Sequence, residues 1–156
     1  MRKKDREVTD KLEILDILKR SQRTVLAFNG KEVPYLLPVN TGAYLFGEQI
    51  VLYFHGAKEG TKYDYIKEGA LVSFEADTDL ELVADKSRGY CTMNYSSVIG
   101  YGVMEEITDY DEKLHSLQVL VDDYHLDEDF KFSEKAMDRT AVFKILVKEA
   151  RGKMKK

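Results

Sequence analysis

The chain has no tryptophan, two prolines and one cysteine in 156 residues. A lone cysteine, Cys91, excludes a disulfide framework and with it the small stapled domains of secreted proteins. No apolar run approaches the ~20 residues that a membrane-crossing helix needs. Positive charge is not in surplus either: 24 basic against 28 acidic residues leave a net charge of −4. General nucleic-acid binding requires a basic excess to neutralise phosphates, so that class is set aside. The opening Met1-Arg2-Lys3-Lys4-Asp5-Arg6 is charged, and the residues after it are amphipathic, unlike the solid apolar block of a signal peptide. A cytoplasmic protein is the expectation. No repeat, low-complexity linker or change of composition divides the chain, so residues 1–156 read as one domain.

Apolar residues make up 44% of the chain, enough for a packed core, and ten tyrosines suit β-structure. Asp10 and Glu13 form the start of a capping box. Leu12, Ile14, Leu15 and Leu18 then recur at helical spacing as far as Arg20. Thr24–Phe28 reads as a strand, Asn29-Gly30 as a hairpin turn, and Val33–Val39 as the partner strand. Pro34 and Pro38 lie within that partner, and a proline cannot donate to a ladder, so the strand belongs at an edge or is interrupted. Ala43–Phe46 and Ile50–Phe54 form a second hairpin around Gly47-Glu48-Gln49. A helix is predicted from about Lys58 to Lys67, stopped by Gly69. Strands at 70–76, 80–84, 97–107 and 143–147, a polar loop over 85–95, and a helical stripe of Leu114, Leu117, Val121 and Tyr124 complete the pattern. The fold class is α+β, mostly antiparallel strands with helices at the ends and crossovers.

Three stretches carry chemistry. In Tyr53-Phe54-His55-Gly56-Ala57-Lys58-Glu59-Gly60-Thr61-Lys62, an apolar strand ends, two glycines free the backbone, and Thr61 and Lys62 open the next helix. Bare N–H groups, a hydroxyl and an ammonium at one corner make an anion site suited to phosphate. The spacing is not that of a Walker loop, and a plain glycine-assisted turn with an exposed lysine fits it equally well. Pro38-Val39-Asn40-Thr41-Gly42 ends the proline-bearing strand. Gly100 and Gly102, on one face of a strand, allow close approach of a ligand, of another subunit, or simply of barrel neighbours.

Taken together, Pro34-Tyr35-Leu36-Leu37-Pro38-Val39-Asn40, then Tyr53-Phe54-His55-Gly56-Ala57 with Gly60 and Lys62, then Ser97-Val98-Ile99-Gly100-Tyr101-Gly102, resemble the pyridoxamine 5′-phosphate oxidase-like split-barrel superfamily. Within it, the chain is most similar to the nitroimidazole-resistance (Nim-type) flavoproteins, whose start Arg2-Lys3-Lys4-Asp5-Arg6-Glu7 also matches. The resemblance implies a six-stranded antiparallel split β-barrel with Greek-key connections and flanking helices. It also implies a homodimer holding FMN at the subunit interface. Lys62 and Thr61, with the Gly56–Gly60 turn, would hold the phosphate. Pro38, Val39 and Asn40 would run beside the isoalloxazine, with His55 and Ala57 near the ring and ribityl chain. Tyr95, Ser96 and Ser97 would come from the partner subunit. The arginines that oxidases of the superfamily place around their substrate phosphate have no counterpart here.

The resemblance to the Nim-type proteins also implies that His55 is the candidate catalytic group, facing ring or substrate, where a neutral imidazole could donate one hydrogen bond; a structural histidine closing a strand end is the other reading. His115 and His125 read as surface residues, and the acidic run from Glu105 to Asp129 as solvated helix and loop with no metal spacing. Cys91 reads as an ordinary loop cysteine, and Lys148–Lys156 as a frayed basic end that could also touch a partner's flavin phosphate. The leading function is therefore an FMN-dependent oxidoreductase that reduces small electrophiles such as nitroimidazoles, with NAD(P)H as donor. The alternative is a non-catalytic flavin- or haem-binding protein with His55 as axial ligand.

Overall fold

Period-two alternation over most of the chain produces one antiparallel sheet. The computed structural model describes residues 3–66, 69–124 and 130–156. After a 3-10 turn at Lys4–Arg6 come β1 (Glu7–Val8), α1 (Lys11–Arg20), β2 (Thr24–Phe28), β3 (Tyr35–Val39), β4 (Thr41–Phe46) and β5 (Gln49–Ala57). A second 3-10 turn at Thr61–Asp64 precedes β6 (Ala70–Asp85), β7 (Tyr90–Ile107), α2 (Tyr110–Asp123), α3 (Glu134–Arg139) and β8 (Thr140–Lys155).

The sheet runs β3-β2-β6-β7-β8-β5-β4, with β1 paired to β8 outside this path. It is the antiparallel split barrel with flanking helices, and β5 returning beside β8 next to β7 and β6 makes a Greek-key order. Eight strands stand where six were expected, and the path does not close on itself. The difference has two causes. β1 adds a two-residue strand, and β3 and β4 form one extended run broken at Asn40, where the chain leaves β2 and joins β5. The buried Thr24 and Thr41 hydroxyls bond across that break at 2.6 Å.

Several local expectations change. Phe28 pairs with Tyr35, so Asn29-Gly30 is part of a six-residue connection and not a tight hairpin. Pro34 falls in that connection, and Pro38 lies on an edge strand, as its missing N–H requires. The strands predicted at 70–76 and 80–84 are one strand, irregular between Thr78 and Glu81. The 85–95 loop shrinks to a turn over 86–89, closed by Asp85, whose Oδ1 accepts from the Ser87 N–H and hydroxyl; Cys91 therefore lies on β7. The basic tail is not frayed, since β8 pairs with β7 as far as Lys155. His125 and Lys67 lie outside the described residues. Among the described residues, no helix is long and apolar enough to cross a membrane.

Asp10 caps α1 by accepting from the Glu13 N–H at 2.9 Å. The helix buries Ile14, Ile17 and Leu18 and leaves Leu12 in solvent. Inside the barrel, Leu52, Phe54, Met104, Phe143 and Ile145 are fully buried, each such side chain contributing roughly 1.5–3 kcal/mol. A second cluster forms where α2 lies on the outer face of β5 and β8, with Val51, Tyr53, Leu117, Leu120 and Val142 at its centre. There α2 meets β4 backbone to backbone: a Cβ on Gly42 would sit 2.9 Å from the Leu120 nitrogen. Gly42→Ala should therefore lower stability by about 1–3 kcal/mol through overpacking, read as a lower urea midpoint; an unchanged midpoint would contradict this packing.

Candidate functional site

The corner after β5 is built from a short turn and one cation. The helix expected from about Lys58 is reduced to a single 3-10 turn, Thr61–Asp64, with no α-helix over 58–66. Gly60 has φ +108° and ψ 170°, outside helical space, and bonds of i→i+3 type come next, Tyr63 N–H to Gly60 O and Tyr65 N–H to Lys62 O, both 3.0 Å. Packing selects this turn, because Tyr63 leans on Phe143 and Tyr65 stacks on Tyr35 at 4.3 Å. A four-residue 3-10 turn carries little macrodipole, so the dipole expected here is absent and the ammonium remains. Lys62 curls back over the turn. Its Cε is 3.4 Å from the place a Gly56 Cβ would take, and its Nζ is 3.8 Å from that of Gly60. Nζ donates to the Glu59 carbonyl and lies 4.7 Å from the Tyr63 ring centroid. Among the described residues, no carboxylate pairs with it. Gly56, Gly60 and Lys62 are thus brought together, with Thr61 exposed beside them.

His55 and Gly56 are consecutive on a strand, so they face opposite sides. A ligand gripped at Lys62 and faced by His55 must cross the end of β5. On the His55 side lies a cavity of about 380 Å³, within the roughly 300–1,000 Å³ usual for small-molecule sites. Its walls are mainly Leu117, Leu120, Val121, Phe130 and Phe132, with Asn40, Tyr124 and Thr140 as further polar residues. Those polar groups are already engaged. Asn40 Nδ2 and Tyr124 Oη both donate to the Gln22 carbonyl, at 2.8 and 2.5 Å, and Thr140 Oγ1 donates to the Ala136 carbonyl at 2.8 Å. His55 remains as the open polar group. The residue is exposed at the cavity mouth, yet desolvation by its neighbours holds its pKa below the ordinary histidine value, which favours the neutral imidazole near pH 7. A larger open crevice of about 920 Å³ is lined by Phe28–Lys31, Asp64, Tyr65 and Gly69–Leu71, and none of the motif residues lines it.

Pro38 and Val39 end edge strand β3 next to Asn40, on the approach to this cavity. Tyr95, Ser96 and Ser97 are elsewhere. Ser97 is ten residues along β7 from Ile107, the β7 position in the His55–Val142–Ile107 row. The Ser96 hydroxyl is buried and donates to Asp79 Oδ2 at 2.7 Å, while the Tyr95 ring sits under the Lys153 ammonium at 5.3 Å. Gly100 and Gly102 serve packing: added Cβ atoms would meet Phe74 and the Glu149 carbonyl, and Ile145 and the Leu146 carbonyl. The α2 wall of Leu117, Val121 and Tyr124 is not recognisable as site-forming in the sequence, because an apolar stripe on a helix reads as core.

The family model described as pyridoxamine 5′-phosphate oxidase matches residues 10–154. The chain belongs to the pyridoxamine 5′-phosphate oxidase family. Among solved structures, the fold is similar to that of a proposed 5-nitroimidazole antibiotic resistance protein from Bacteroides thetaiotaomicron. That match has 27% identity and a TM-score of 0.78, covering 94% of this chain and 85% of the other. The flavocytochrome Anf3 from Azotobacter vinelandii matches at 22% identity and TM-score 0.76, covering 100% and 72%. The FAD and haem binding protein from Mycobacterium smegmatis matches at 19% and 0.78, covering 97% and 74%. These last two share the fold. No curated protein matches the sequence significantly.

The depressed pKa of His55 has a consequence for stability with a definite sign. A folded pKa below the unfolded value of about 6.5 means that the unfolded chain binds the proton first. The stabilising contribution is complete above that pH and is lost as pH falls through the folded pKa. NMR titration of His55 should give a midpoint below about 6.5, and His55→Gln should flatten the acid limb of the stability profile; a midpoint above the free value would refute the desolvated pocket.

Proposed function

We propose that this chain binds FMN and uses it to reduce small electrophiles such as nitroimidazoles, with a reduced nicotinamide as donor. One observation carries the reading: a lysine ammonium folded into a glycine-lined turn, unpaired with any carboxylate among the described residues, beside an apolar cavity with one open imidazole. The cation fits a single phosphoryl group, and the apolar walls fit a planar ring. The similarity to the Bacteroides resistance protein supports the substrate class.

In this reading Lys62, Thr61 and the backbone from Gly56 to Gly60 hold the phosphate by charge-assisted hydrogen bonds. Pro38, Val39, Asn40 and Ala57 flank the ring system. The α2 wall keeps water from the cavity, and neutral His55 offers one N–H to a substrate oxygen without adding charge. FMN, when bound, supplies the electron chemistry, and the protein supplies position and electrostatics. A homodimer belongs to the proposal, because Tyr95 and Ser97 reach a flavin only if a second copy presents them. The outer face of the sheet has apolar residues to bury in such a contact, with Leu36, Leu71, Ile99 and Tyr101 exposed. A cytoplasmic location goes with a nicotinamide donor. The haem alternative rests on the same His55 beside the same apolar cavity, so absorption spectra separate the two.

The purified protein should show the visible absorption bands of a flavin, or gain them on adding FMN, and should elute as a dimer. Lys62→Ala should weaken FMN binding about 10–100-fold, the loss expected for one charge-assisted contact of roughly 1.5–3 kcal/mol. His55→Gln should retain FMN and slow nitro-group reduction. A colourless protein that stays colourless with FMN, or one with a haem band lost in His55→Ala, would sink this function.

A further inference from the structure

β1 is two residues long, yet it decides where charge collects. It pairs Glu7 with Lys153 and Val8 with Gly152, joining the basic opening of the chain to its basic end. Lys3, Lys4 and Arg6 stand on one side, and Lys153, Lys155 and Lys156 on the other. Only Asp5 and Glu7 are interspersed, on a chain whose net charge is −4.

The corner centres on Tyr95, which lies opposite Lys155 on the β7–β8 ladder. The Lys153 ammonium stands 5.3 Å from its ring centroid, and Lys153 first, with Arg6 adding to it, holds the Tyr95 pKa below the ordinary tyrosine value. Lys153 and Lys155 are half-buried, and neither forms an ion pair among the described residues. Lys155 donates to the Thr92 hydroxyl instead. Arg6 reaches only Asp5, at 3.9 Å. The acids on this side are Glu7, opposite Lys153, and Asp77, opposite Ser97; Asp79 is occupied by Arg20 at 2.5 Å. Partly desolvated cations without carboxylate partners call for an anion. The donors here, a guanidinium, two ammoniums and two hydroxyls, suit phosphoryl oxygens. Lys153 and Lys155 are two apart on one strand face, about 6.6 Å, a spacing that spans two linked phosphoryl groups. The acidic remainder of the surface disfavours a long polyanion.

We propose that Arg6, Tyr95, Lys153 and Lys155 form a second anion site, separate from the Lys62 corner, which takes the diphosphate of a redox dinucleotide. The site stands on its own residues and does not require the FMN reading. Two molecules carry this chemistry, a dinucleotide flavin and a reduced nicotinamide donor, and both share an adenosine diphosphate end.

The test is calorimetric titration of ADP into the purified protein at low ionic strength, for wild type, Lys153→Gln, Arg6→Gln and Lys62→Ala. Wild type should bind ADP saturably. Lys153→Gln and Arg6→Gln should each weaken it at least tenfold, with an unchanged melting temperature as evidence of an intact fold. Lys62→Ala should leave ADP affinity unaltered whether or not it loses flavin, which separates failure of this site from failure of the flavin reading. No saturable ADP binding to wild type, or wild-type affinity in both corner variants, overturns the proposal. Competition then names the source. Displacement of ADP by FAD assigns the flavin's adenylate end, displacement by NADPH assigns the donor, and displacement by neither overturns the assignment to a redox dinucleotide.

Discussion

Strand β8 must satisfy backbone hydrogen bonds on both edges, and the rest of the molecule is arranged around that demand. β7 runs along one edge from Ile107–Val142 to Tyr95–Lys155. No single strand covers the other edge: β5 takes the first half, from Thr140 to Leu146, and β1 takes Gly152 and Lys153. The register shift between Tyr101 and Gly102 lets this long pair bend. Gly100 and Gly102 face the inside of that bend, where carbonyls of β8 come within 2.5 Å of any Cβ. The first half of β8 thus holds the end of β5, with His55 and Gly56, in place. The second half holds the N-terminus beside Tyr95. Each candidate ligand corner hangs from one half of one strand.

The two sides of the β5 end differ in electrostatic character, and the difference comes from burial. Lys62 stays near solvent, where the missing carboxylate costs the fold little, because an exposed ion pair contributes only about 0–1 kcal/mol. It is therefore a cation held in place with its charge uncompensated. On the other side, the cavity walls are apolar and their polar groups are already bonded within the protein. Desolvation lowers the pKa of His55 there and favours its neutral form, so that side presents hydrogen bonding with little charge. Compare Lys144, also on a strand but tied to Glu112 at 2.7 Å and Glu105 at 3.4 Å. That ammonium is a structural tie between α2 and the sheet. Lys62 has no such duty.

Whatever local chemistry decides can be read from the sequence. Asp10 and Glu13 announce α1, Pro38 announces an edge, and alternating apolar residues with Gly47-Glu48 between them announce the β4–β5 hairpin. Features decided by distant partners escape such a reading. Residues 58–66 are compatible with helix, but Tyr63 and Tyr65 dock on Phe143 and Tyr35, which pulls the segment into a tight turn. Residues 90–94 look like loop because both faces of their ribbon meet solvent. The tail looks disordered because its lysines dominate, although Ala150, Gly152 and Met154 alternate with Arg151, Lys153 and Lys155 at strand period. The motif from Tyr53 to Lys62 identifies the site's floor; its lid, Leu117, Val121 and Tyr124, is ordinary core by pattern and becomes a wall only through the position of α2.

The β6–β7 ribbon shows how the barrel extends beyond its own support. Past the row Ala76–Val98, β6 loses β2 as a neighbour, and past Tyr95–Lys155 β7 loses β8 as well, which leaves a two-stranded hairpin, marginal in water by itself. The ribbon is anchored at its base. Asp79 takes a positive φ of 58°, a conformation that aspartate tolerates better than most side chains. From there its carboxylate reaches both Ser96 of β7 and Arg20 of α1, at 2.7 and 2.5 Å, and Arg20 also holds Asp16 at 2.9 Å. The Arg20 guanidinium keeps the Asp79 carboxyl below its usual range, so the anchor persists well into mild acid. The last residue of one helix thereby ties the base of the ribbon, next to Tyr95 and Ser97, to α1. The proposed partner-side half of a flavin site is in this sense steadied by α1, through Arg20.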